Sequence, residues 1–108
     1  MQRVKIITFA PPESADAVRK ALGEAGAGTL GKYTFCSFTT IGNGRFLPSV
    51  GANPHIGRPG MLEVVTEERI EVVCDRAMAR EVINVLKKAH PYEEVAFDII
   101  PLIREEDL

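Results

Sequence analysis

At 108 residues, with 45% apolar and 26% charged side chains, the chain has the size and composition of one globular domain built on a single core, which excludes wholesale disorder. Thirteen basic residues against fifteen acidic ones leave a formal charge of −2, so there is no electrostatic footprint for nucleic acid and no basic cluster to hold an anionic membrane. No run approaches the roughly 18 apolar residues of a membrane span, and the N-terminus lacks the long apolar stretch of a signal peptide, so a cytoplasmic location is expected.

Residues 3–10, "RVKIITFA", read as a first strand rich in β-branched side chains. In the following segment Pro12 suits a first helical turn, Glu13 and Asp16 suit the positive end of the helix dipole, and Gly26 is placed to end the helix. Ala15, Val18, Leu22 and Ala25 form its apolar stripe. "KYTFCSFTTI", 32–41, is a second strand by composition, and "MLEVVTEERIEVVCD", 61–75, is a third by its alternation. Glu68 falls on the mostly apolar side of that third strand, which predicts a bulge or bend near Glu67 and Glu68. Asp75 is placed to cap a second helix whose buried stripe is Ala79, Val82, Ile83, Leu86 and Ala89. Residues 94–102 supply a fourth strand.

The order β-α-β-β-α-β is the ferredoxin-like α+β arrangement, a four-stranded antiparallel sheet with both helices on one face. Cys36 and Cys74 read as reduced core residues, too few for a disulfide framework or a zinc motif. Pairing residue 40 with residue 62 would hold the two thiols more than roughly 20 Å apart, too far for a disulfide.

Two features exceed the needs of the bare fold. The connection "GNGRFLPSVGANPHIGRPG", 42–60, is far longer than the usual two to five residues of a hairpin loop. It carries Arg45, His55 and Arg58, and it is open to two readings. One is an anion pocket in which Gly42 and Gly44 free backbone N–H groups; the other is an ordered Ω-type loop packed on its own domain or a neighbour. The second feature is the sheet face away from the helices. Ile7 and Phe9 of strand one, with Ala96 and Ile100 of strand four, make it apolar as well, and self-association is the economical cover.

The corner "HPYEE", 90–94, is open to two readings as well. As structure, His90 meets the last carbonyls of its helix, Pro91 stops it, Tyr92 covers the core with its hydroxyl outward, and Glu93 and Glu94 point to opposite faces. As a site, His90 with Glu93 or Glu94 offers a divalent metal an imidazole and a carboxylate. No catalytic constellation stands out: there is no G-x-S-x-G, no H-E-x-x-H, and no base adjacent to Cys36. Taken together, Arg45, His55 and Arg58 of the loop and His90, Tyr92 and Glu94 of the corner are the candidate ligand-binding set.

The stretches "YTFCSFTTIGNGRFLPSVGANPHIG", "EERIEV" and "HPYEEVAFDIIPL" resemble the CutA-like domain of the YqfO-type, Ngg-interacting-factor-like proteins, over roughly residues 3 to 102. In longer members this domain is inserted into a body with a dinuclear metal site. The segments of that body are absent here, so its hydrolytic chemistry is not carried over. The resemblance implies kinship with CutA and the PII signalling proteins, hence a homotrimer with ligands or protein partners met in clefts near the long loop. The expectation is a non-enzymatic regulatory module; the alternatives are a divalent-metal binder of CutA type and a small enzyme acting on a nucleotide.

Overall fold

The computed structural model describes residues 2–108, arranged as β1 (Arg3–Ala10), α1 (Pro12–Glu24), β2 (Phe38–Phe46), β3 (Glu63–Asp75), α2 (Ala79–Ala89) and β4 (Phe97–Leu102), with short 3-10 turns at Arg76–Met78 and Glu105–Asp107. All neighbouring strands are antiparallel, in the order β2-β3-β1-β4. This is the ferredoxin-like arrangement expected from the sequence. Among the described residues no helix is long and apolar enough to cross a membrane.

Alternation sorts the sheet into two faces. Val4, Ile6 and Ala10 of β1 join Ile70, Val72 and Cys74 of β3, and against them pack Ala15, Val18 and Leu22 of α1 and Val82, Ile83 and Leu86 of α2. Each large aliphatic side chain buried there contributes about 1.5–3 kcal/mol relative to exposure. Helix α1 ends as Gly26 predicts: its φ of 97° lets Gly26 donate its N–H to Gly23 and Ala27 to Leu22, both at 3.0 Å.

The second strand begins later than its composition predicts. Leu30 and Tyr33 close an isolated bridge, Phe35 takes a left-handed φ of 58°, and the ladder starts only at Phe38. Register shifts with it, since Thr40 pairs with Arg69 instead of residue 62. Cys36 donates its N–H to Gly28, whose own N–H reaches Val73, so the exposed Cys36 lies beside the end of β3 that carries the buried Cys74. Both thiols are free, but the large separation expected for them rested on a wrong register.

No bulge interrupts β3, because its register with β2 runs unbroken through Glu67 and Glu68, and its register with β1 reaches Glu68 without a break. Glu68 sits on the helix side where Arg19 reaches it at 2.6 Å, and Arg19 also grips Asp16. A partnered charge needs no bend to escape burial. The expected cap by Asp75 is likewise absent: its side chain makes no cap bond and lies 4.0 Å from Arg3. A 3-10 turn opens α2 in its place.

Because β2 runs to Phe46, the true connection is 47–62, and Gly42 and Gly44 lie in the ladder opposite Glu67 and Val65. Neither glycine has a left-handed φ, so the anion nest expected there does not form. The loop closes on itself through Gly60 N–H to Pro48 at 2.7 Å and Ala52 N–H to Ser49 at 3.1 Å. The hairpin projects from the body, giving a radius of gyration of 15.1 Å and extents of 49 × 25 × 23 Å. A compact chain of this length has about 13 Å.

Candidate functional site

The site lies on the sheet face opposite the helices, where the end of β1, the base of the hairpin, the 47–62 loop and the corner after α2 converge. They enclose a cavity of about 340 Å³ with an apolar floor that includes Phe9, Phe46 and Ile56. That volume is within the usual range for small-molecule sites.

His90 anchors the corner from behind. Its backbone N–H ends α2 on Leu86, but its buried ring does not turn to the carbonyls of its own helix as expected. Nε2 lies 2.6 Å from the Phe9 carbonyl oxygen, and Nδ1 accepts the Tyr92 N–H at 3.1 Å. This assigns the neutral tautomer protonated at Nε2. With one nitrogen donating and the other accepting, the ring has no free lone pair for a metal in this conformation.

Tyr92 does not point its hydroxyl outward. It donates to Glu67 Oε2 at 2.9 Å, and its ring meets His90 edge-on at 4.7 Å and His55 at 6.2 Å. Burial, then the hydrogen bond and charge of Glu67, push the phenol well above its ordinary value. Glu67 in turn lies over Gly44, where a Cβ would collide with its carboxylate. Glycine in the middle of β2 thus serves close approach, not flexibility.

Since β4 begins only at Phe97, Glu93 and Glu94 precede the strand and do not point to opposite faces as alternation would require. Both line the cavity. The Glu93 carboxylate accepts the Asn53 N–H at 3.1 and 3.2 Å, tying the corner to the loop. Among the described residues Glu94 and Arg45 make no side-chain hydrogen bond or ion pair within the protein, and no group of three His, Cys, Asp or Glu side chains is gathered to hold a metal.

Of the candidate set, the structure brings Arg45, His55, Tyr92, Glu93 and Glu94 around one cavity. His90 stands behind Tyr92, and Arg58 lies outside the lining. Sequence reasoning missed Phe9, Phe46 and Glu67. The one available signal for Glu67 was the glycine spacing across from it in β2.

No protein-family model matches the chain. Two relatives named GTP cyclohydrolase 1 type 2 homolog are similar to it. That of Halalkalibacterium halodurans is 45% identical over 101 residues, covering 94% of this chain and 27% of its own. That of Bacillus subtilis is 48% identical over 98 residues, covering 91% and 26%. The crystal structure of the Bacillus cereus protein related to NIF3 matches with a TM-score of 0.83 at 44% identity, over 95% of this chain and 26% of that one. The chain is homologous to one domain of the NIF3-related, YqfO-type proteins. It spans about a quarter of those relatives' length. The periplasmic divalent cation tolerance protein CutA from Archaeoglobus fulgidus matches with a TM-score of 0.69 at 23% identity, over 94% of this chain and 85% of its own. That likeness shows the CutA-type fold.

Proposed function

We propose that this domain is a self-associating, small-ligand-binding regulatory module, with three copies forming the assembly and the 47–62 loop responding to an occupant of the cavity. The observation that carries the reading is the pair of ties across the cavity, Tyr92 to Glu67 and Glu93 to Asn53. The first holds the corner to β3 and the second holds the corner to the loop, so a ligand that competes for Glu93 alters what the loop presents to a partner.

Self-association is supported by both edge strands. Phe38 and Ile41 on β2 are 67% and 71% exposed, and Ile99 and Ile100 on β4 are also exposed. Edge strands with apolar side chains and unpaired backbone groups are ready to associate. The trimer is the assembly that the resemblance to CutA and PII proteins implies. Sedimentation equilibrium should give three copies, and an Ile41→Asp, Ile100→Asp double variant should sediment as a monomer with an unchanged far-ultraviolet spectrum. A wild-type monomer across micromolar concentrations would defeat the reading.

A further inference from the structure

We infer that the cavity takes a small organic cation, a protonated amine carried on an apolar, ring-bearing body. The inference rests on the cavity being the binding site proposed above and adds the class of its ligand. Three carboxylates line the space, Glu67, Glu93 and Glu94, against one guanidinium, Arg45, with His55 as the remaining titratable base. The lining carries a net negative charge whether or not the imidazole is charged, and a cleft with low-dielectric walls focuses such a field.

The carboxylates are not equivalent. Glu67 is engaged by the Tyr92 hydroxyl and Glu93 by the Asn53 N–H, both neutral donors that leave the charges uncompensated. Glu94 has no partner among the described residues and is the counter-ion open to a ligand. Burial first, and then the hydrogen bond and charge of Glu67, raise the Tyr92 phenol above its ordinary value, so Tyr92 remains a neutral donor to that carboxylate.

The rest of the lining suits the body of such a ligand. Phe9, Phe46 and Tyr92 present aromatic surface beside the acidic groups, and Pro48, Pro54 and Ile56 add aliphatic walls. Aromatic faces attract a desolvated ammonium through their quadrupoles, and carboxylates attract it through charge. An anionic ligand would find one arginine and meet repulsion from three glutamates. Arg45, exposed and without an ion-pair partner, is free to swing away from a bound cation.

The test is calorimetric titration of the full chain with three probes of similar shape: phenethylammonium, neutral phenethyl alcohol and anionic hydrocinnamate. The ammonium should bind about tenfold or more tightly than the alcohol, with hydrocinnamate weakest. Glu94→Gln should weaken the ammonium several-fold and leave thermal unfolding unchanged, because Glu94 holds nothing in the fold. Hydrocinnamate binding most tightly, or all three binding alike, would overturn the cation while leaving a binding cavity. Ammonium binding that survives both Glu94→Gln and Glu67→Gln would place the cation elsewhere and overturn the inference. No heat from the ammonium together with no rise in thermal unfolding in its presence would overturn the inference.

Discussion

The Tyr92 hydroxyl donates to Glu67 at 2.9 Å, joining the corner after α2 to the centre of β3 across the face of the sheet that no helix covers. Behind it the His90 ring spans Phe9 and the Tyr92 backbone, so the corner is held from two sides. The cavity wall is therefore part of the folded frame.

Tyr92 gives the clearest pH signature. Its folded phenol titrates above the ordinary value of about 10, first because of burial and then because of Glu67. For a group raised on folding, the stabilisation is complete below the unfolded value and is lost as pH rises through the folded one. Stability to urea should therefore fall as pH climbs above about 10. Tyr92→Phe should flatten that fall and cost about 1–2 kcal/mol near neutrality, by leaving half-buried Glu67 without its donor. The phenolate absorbance of wild type and variant, followed through an alkaline titration, checks the assignment.

Replacing His90 should be costlier. His90→Ala leaves the Phe9 carbonyl and the Tyr92 N–H without their partner and opens a buried hole, for about 2–3 kcal/mol. A denaturant midpoint equal to wild type would show that the ring does not tie α2 to β1. Nitrogen chemical shifts of the imidazole should independently report protonation at Nε2.

The two thiols should separate by reactivity. Cys36 is exposed, whereas Cys74 is buried and its thiol is pushed up, chiefly by that burial and then by Asp75. An aromatic disulfide reagent should modify Cys36 in the native protein and reach Cys74 only on unfolding. Rapid native modification of both would contradict the packing of β3 against the helices.

Gly26 should resist substitution. Its φ of 97° is strained for any side chain, and a Cβ there would collide with Met78. Gly26→Ala should destabilise by about 1–2 kcal/mol, whereas Gly31→Ala, with open space at its φ of 57°, should cost less. Paired thermal melts decide it.

Periodicity made the helices and the order of elements along the chain legible, because burial repeats locally: Val18 and Leu22, then Val82 and Leu86, are all in the core. What failed depended on partners distant in sequence. Glu68 looked like a break in β3 because nothing nearby showed Arg19, 49 residues earlier, reaching it. Residues 32–37 read as strand from their aromatic and hydroxyl side chains, yet the left-handed turn at Phe35 keeps them out of the ladder. The site was half legible for the same reason. Arg45, His55 and the corner stood out by residue type, whereas Glu67 joins them only through the register of β2 on β3.

Native mass spectrometry of untagged protein from gentle lysis tests the central claim most directly, because it reads subunit number and bound mass together. A binding module of the proposed kind should appear as three copies retaining a small mass, with that mass lost in Tyr92→Ala. A monomer, or a retained mass indifferent to Tyr92→Ala, would contradict the account.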